Sequence, residues 1–108
     1  NVIEDAAEAF GSKFKKKCLG NFGILGCFSF APNKIITTGQ GGLIVTNNKK
    51  IYENLIKFKN QGRIGESTGG ADDFISVGTN LRFTDMQSAL GLSQLKSFDK
   101  RQKNNINL

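Results

Sequence analysis

The spacing of apolar and polar positions changes several times along the chain, and each change marks an element. "NVIEDAAEAFGS" opens on an apolar run read as a buried strand, Val2 to Glu4, followed by a loop or short helical turn that ends at Gly11. "KFKKKCLGNFG" is polar and turn-rich, which predicts a small surface hairpin. "ILGCFSF" alternates, placing Phe28 and Phe30 on one face of a second strand and Cys27 and Ser29 on the other. "GLIVT" predicts a third strand, and the segment between these two carries Lys34 within a turn rich in Thr and Gly.

Two stretches switch to helical spacing. Asn47-Asn48 offers an N-cap for "KKIYENLIKFKNQ", where Ile51, Tyr52, Leu55 and Ile56 recur at helical intervals and Gly62 is the stop. From Gly62 to Gly78 the chain is rich in Gly and polar residues, and a mobile loop is expected. "TDMQ", Thr84 to Gln87, has the spacing of a capping box. The pattern predicts one helix from there to the end of the chain, with Met86, Ala89, Leu90, Leu95 and Phe98 turned inward. Strands mixed with helices argue for an α/β layered fold. The chain opens directly on a strand and closes inside a helical pattern, so a piece of a longer protein is expected.

Composition narrows the chemistry. The chain has 108 residues, enough for one small domain, and 38% of them are apolar, so a core is affordable. There is no histidine, which excludes Ser-His-Asp and Cys-His catalysis and the commonest metal ligand; no metal site is expected. Cys18 and Cys27 are too few for a disulfide framework and read as free thiols of a reducing cytoplasm. No stretch reads as a membrane span or a signal peptide. The net charge of +6 admits nucleic acid as a partner, but the one dense cluster, Lys13 to Lys17, falls in the hairpin turn and reads as a solvated loop. Anionic small molecules fit the charge as well.

Three polar residues stand where strands end. Asp5 follows "VIE", Ser29 lies near the end of "CFSF", and Lys34 follows five residues later. Ligands of open α/β sheets gather outside the carboxyl ends of strands. A lysine, a carboxylate and a hydroxyl converging there match the needs of pyridoxal phosphate. The amine forms a Schiff base, the carboxylate keeps the pyridine nitrogen protonated, and hydroxyl and backbone N–H groups take the phosphate.

With these residues in place, the chain resembles the DegT/DnrJ/EryC1/StrS family of sugar-nucleotide aminotransferases. "VIEDAAEAFGS" is similar to the family's Glu-Asp-Ala-Ala segment, "FSFAPNKIITTGQGGLIVTN" to its lysine segment, and "VGTNLRFTDMQSALGLSQL" to its Gly-x-Asn-x-Arg segment. The resemblance implies a fold-type-I large domain with a mixed, mostly parallel sheet and flanking helices, of which residues 1–108 would be the central part. The upstream phosphate loop, the aromatic residue that stacks on the cofactor ring and the carboxy-terminal small domain would lie outside it. By the same resemblance Lys34 would carry the cofactor, Asp5 would pair with its ring nitrogen, and Glu8 would lie near its phenolic oxygen. Ser29 would bind the phosphate, and Asn80 would reach the phosphate held by the other subunit of a homodimer with shared active sites.

The implied reaction moves an amino group, with glutamate as donor, to a nucleotide-linked 4-keto-6-deoxy sugar of the perosamine type. Its setting would be surface polysaccharide, O-antigen or deoxyaminosugar biosynthesis in the cytoplasm. Relatives that dehydrate sugars replace the lysine with His; this chain keeps Lys34. Glu8 stands where many members have Gln or His, and Gln40 where Glu is usual, which removes a charge beside the lysine turn. Two alternatives stay open at this point: a non-catalytic or regulatory member of the same fold, and a small basic nucleic-acid-binding module.

Overall fold

The computed structural model describes residues 1–64 and 73–106. Its elements are β1 (Ile3–Asp5), β2 (Lys13–Phe14), β3 (Lys17–Cys18), β4 (Leu25–Ser29), β5 (Gly42–Val45), α1 (Lys49–Lys59), α2 (Asp85–Leu95) and α3 (Phe98–Ile106). They fall into two units, Asn1–Asn47 with Phe83–Leu108, and Asn48–Arg82. The α/β class and the mixed sheet with helices are as the sequence implies. Among the described residues no helix is long and apolar enough to cross a membrane.

In the first unit β4 is the central strand. It runs parallel to β1, with Asp5 opposite Cys27, and antiparallel to β5, with Ser29 opposite Gly42. Side chains alternate along a strand, so this register puts Asp5, Cys27 and Ser29 on one face at the carboxyl end of the sheet. Gly26 permits the close approach of the preceding loop: a Cβ there would lie 2.2 Å from the Gly20 carbonyl oxygen. The predicted hairpin forms as β2 paired with β3.

Phe10 gathers the aromatic side chains. It meets Phe28, Phe30 and Phe98 edge-on, with ring centroids 5.6, 5.8 and 5.4 Å apart. Such pairs each add about 0.5–1.5 kcal/mol beyond the area they bury. Among the described residues, Ala6 and Ile36 are the buried hydrophobic ones.

The first strand differs from its expected form. It is shifted by one residue to Ile3–Asp5, and it is not buried: Val2 and Ile3 are 65% and 63% exposed. It stands at the edge of the three-stranded sheet, and of its residues only Glu4 is half-buried, turned toward the neighbouring loop. The Glu4 carboxylate accepts hydrogen bonds from the backbone N–H groups of Gly20, at 2.8 Å, and of Phe22 and Gly23. The Gly23 bond above all holds the carboxyl below its ordinary range; the other two and the charge of Lys17 add to this, and burial works the other way.

The carboxy-terminal helical region also departs from expectation. Thr84 forms the predicted capping box with Gln87, but the helix stops at Leu95. Ser97 ends it, because its N–H and hydroxyl both bond the Gln94 carbonyl, and its own carbonyl then accepts from Arg101 in α3. Of the residues expected to face inward, Phe98 reaches Phe10, whereas Met86, Ala89, Leu90 and Leu95 are exposed. The inward face of α2 is Gln87, Gly91 and Gln94. A polar and glycine face is chosen because the segment it covers offers backbone groups that need partners.

The second unit is built on α1. Asn48 caps it by accepting from the Ile51 N–H at 3.1 Å, and Lys57 and Lys59 sit favourably in the last turn. The helix ends at Lys59, before the Gly62 stop that the sequence suggests, with Asn60 as C-cap. The segment around Thr79 then lies along the helix end, where the Thr79 and Leu81 N–H groups donate to the carbonyls of Phe58 and Lys59. Of the loop expected to be mobile, Gly62 to Gly78, residues 65–72 lie outside the described residues.

The Glu4 contacts carry a pH signature. A carboxyl whose value is lowered by folding contributes stability that is fully present above the unfolded value, about 4.3 for glutamate. That contribution is lost as the pH falls through the lower folded value. In the protein carrying this chain, denaturant unfolding should therefore show Glu4→Gln less stable than wild type at neutral pH. The gap should close as the pH drops below the glutamate range. A gap constant with pH would contradict the assignment.

Candidate functional site

Residues 30–41 fold into the turn that presents Lys34, and the turn is held at several points. The Thr38 N–H and the Thr37 hydroxyl both donate to the Phe30 carbonyl, at 3.1 and 3.0 Å, which closes the loop at its base. The Lys34 N–H bonds the Ala31 carbonyl at 3.1 Å, and the Gly39 N–H bonds the Thr37 hydroxyl at 2.9 Å. Gly41 has a φ of 143°, and a Cβ there would lie 2.3 Å from Phe83. The backbone can pass that point only as glycine.

Helix α2 supplies the outer clamp. Gln94 is buried, and its side-chain amide pairs with the backbone of Thr37: Oε1 accepts from the N–H at 3.1 Å and Nε2 donates to the carbonyl at 2.9 Å. Two turns earlier, the Gln87 Nε2 donates to the Gln40 carbonyl at 3.1 Å, while its Oε1 caps Thr84. The Gln40 side chain is exposed, and the position is fixed through its backbone carbonyl. The charge missing at Gln40 thus leaves the clamp intact. The sequence pattern marks Gln87 only as a capping-box residue and gives Gln94 no role, since neither is apolar; their separation of seven residues, two helical turns, is the available signal.

Lys34 points into a cleft of about 710 Å³ whose walls include Glu8, Phe10, Ser12, Lys13, Ser29 and Lys34. Its side chain is 13% exposed, and Nζ donates to Glu8 Oε1, whose side chain is 78% exposed. The Ser29 hydroxyl accepts from the Ala31 N–H at 3.2 Å, at the point where β4 gives way to the lysine turn. Asp5 ends β1, and its Oδ1 accepts from the Ala7 N–H at 3.1 Å; it stands on the sheet face shared with Ser29, and is not in the cleft wall itself. Gln102 of α3 bonds the Gly11 carbonyl at 2.9 Å and closes the far wall.

The structure therefore brings Lys34, Glu8 and Ser29 together and places Asp5 at the adjoining strand end. Asn80 belongs to the second unit, where its Oδ1 accepts from the backbone and Nε of Arg82, both at 3.4 Å. An amine, a carboxylate and a hydroxyl in one cleft, with a second carboxylate at the adjoining strand end, are a donor set that can bind a carbonyl compound covalently and hold an anionic group beside it.

Comparison with known proteins identifies the family. The sequence profile described as the DegT/DnrJ/EryC1/StrS aminotransferase family matches residues 1–108. The chain is 48% identical over 98 residues to the GDP-perosamine synthase of Escherichia coli O157:H7, a match covering 91% of this chain and 26% of that protein. The solved structure of Helicobacter pylori PseC, an aminotransferase involved in the biosynthesis of pseudoaminic acid, superposes with a TM-score of 0.82 at 37% identity. That match covers 90% of this chain and 26% of PseC. The E. coli GDP-4-keto-6-deoxy-D-mannose-3-dehydratase with bound hydrated PLP superposes with a TM-score of 0.77 at 33% identity, covering 90% of this chain and 28% of that one. The chain spans about a quarter of the length of the curated relatives it matches. Cleft, motifs and likeness converge: the chain belongs to the DegT/DnrJ/EryC1/StrS aminotransferase family.

Proposed function

We propose that the chain is the central part of the large domain of a pyridoxal-phosphate-dependent aminotransferase acting on a nucleotide-linked keto-sugar. The observation that carries the reading is Lys34, whose amine is held in a cleft with Glu8 and Ser29 by a turn clamped to α2. The exposed apolar residues of β1 and α2, such as Ile3 and Met86, fit a piece whose remaining domain covers them.

The donor set suits the cofactor. Lys34 Nζ would hold it covalently, Asp5 would hold a proton on its ring nitrogen, Ser29 would take its phosphate, and Glu8 would stand beside its phenolic oxygen. When bound, pyridoxal phosphate supplies a reversible amine carrier and an electron sink. Lys34 Nζ would also be the group to accept and return the proton of the amino donor's Cα. A lysine at this position favours transamination over dehydration. The relatives named for perosamine support a 4-keto-6-deoxy sugar as acceptor, and glutamate is the proposed donor. We place the reaction in the cytoplasm, in O-antigen or related surface polysaccharide synthesis, and assign Asn80 to the cofactor phosphate of the other subunit in a homodimer.

Two measurements test this. Borohydride reduction of the cofactor-loaded full-length protein, followed by peptide mapping, should leave the pyridoxyl tag on Lys34. A tag on another lysine would remove the assignment. For Asn80, full-length Lys34→Ala and Asn80→Ala subunits, each weak or inactive, should regain activity when mixed. A mixed dimer that shares its sites has one site with both changes and one with neither. A flat mixing curve, with subunit exchange shown independently, would place Asn80 within its own subunit's site.

A further inference from the structure

The β2–β3 hairpin is more basic than a surface turn requires, and it borders the cleft. Residues 11–19 contain Lys13, Lys15, Lys16 and Lys17 and no acidic side chain. Lys13 and its neighbour Ser12 are part of the cleft wall. The two central residues of the turn, Lys15 and Lys16, have φ of 47° and 69°. A two-residue turn with both residues at positive φ is the setting in which Asn-Gly is preferred, because an ordinary side chain is strained there. Two lysines in those positions cost stability that the turn itself does not return.

Two of the four lysines lie against the scaffold. Lys17 lies over the Phe22 ring at 4.6 Å and close enough to Glu4 to act on its carboxyl, so it is engaged with the scaffold. Lys15 lies over the Phe14 ring at 5.4 Å, which restricts its stem. Lys13, Lys15 and Lys16 are exposed and face no acidic residue of the hairpin. Glu8, the carboxylate of the neighbouring cleft wall, is paired with Lys34.

We propose that Lys13, Lys15 and Lys16 form a diphosphate-binding site at the rim of the cleft and hold the nucleoside diphosphate portion of the substrate while its sugar enters toward Lys34. The proposal rests on the nucleotide-sugar reading above. Lysine suits the task, since an ammonium group on a flexible stem binds phosphate as a point charge without demanding one geometry. It also accounts for strained lysines where glycine or asparagine would serve the turn better.

The strain supplies a test that folding defects cannot mimic. In the full-length protein, Lys15→Asn with Lys16→Gly installs the residues the turn prefers, so thermal stability should hold or rise. Binding of guanosine diphosphate and uridine diphosphate is measured by calorimetry, with guanosine and inorganic pyrophosphate as the two partial ligands. The double variant should bind the better nucleoside diphosphate about tenfold more weakly, equivalent to roughly 1.4 kcal/mol. Adding Lys13→Gln should weaken it further, pyrophosphate binding should fall in parallel, and guanosine binding should not change. The wild-type affinity should also decline with salt more steeply than that of the triple variant. Equal diphosphate affinity in wild type and triple variant would overturn the proposal and leave the nucleotide-sugar reading standing. Wild-type protein that binds neither diphosphate would overturn both; the lysine labelling above would then judge the cofactor assignment separately.

Discussion

The cleft depends on the pairing of one buried amide with one backbone unit, Gln94 with Thr37. Lys34 sits on a turn with no strand ladder of its own, and a turn of that length is costly to hold in a single shape. The two Gln94 bonds supply the partner that a neighbouring strand would otherwise provide, and they come from a helix whose start is fixed independently by the Thr84 capping box. Removing one side of such a pairing leaves buried backbone groups unsatisfied, at about 1–3 kcal/mol each. Lysine placement, cleft shape and the contact at Gln40 all follow from where α2 lies.

Around this clamp the sheet supplies the other half of the site. The parallel pairing of β1 with β4 sets Asp5 level with Cys27, and two residues further along β4 Ser29 leads into the lysine turn. The Glu4 carboxylate, gathering three backbone N–H groups, ties β1 to the loop that enters β4 and so fixes that register. Neighbouring carboxylates in "IEDAAE" thus do separate jobs. Glu4 holds the scaffold, Asp5 ends the strand, and Glu8 faces the lysine.

Much of this was legible in the sequence, and the pattern of what was not is physical. Local signals read well: the "TDMQ" capping box, the Asn48 cap, the hairpin, and the alternation of "ILGCFSF" depend on residues a few positions apart. The inward face of α2 did not, because hydrophobic spacing picks out Met86, Leu90 and Leu95 while the helix packs through Gln87, Gly91 and Gln94. That choice answers the backbone of a turn more than fifty residues away, which no local window contains. The break at Ser97 has the same origin in part, since it frees Phe98 to meet Phe10. Of the candidate site residues, Asp5, Ser29 and Lys34 are legible from their places at strand ends, whereas Glu8 and Asn80 rest on the family resemblance.

The most direct test of this account is amide hydrogen exchange on the full-length protein with Gln94→Leu. The account predicts that the amides of Thr37, Thr38 and Gly39 exchange at least about tenfold faster than in wild type, as the loss of roughly 1.4 kcal/mol of local protection would give. The amides of β4 should keep their wild-type protection. Unchanged exchange in the lysine turn, or equal loss of protection in turn and strand, would contradict the claim that Gln94 is what holds Lys34 in place.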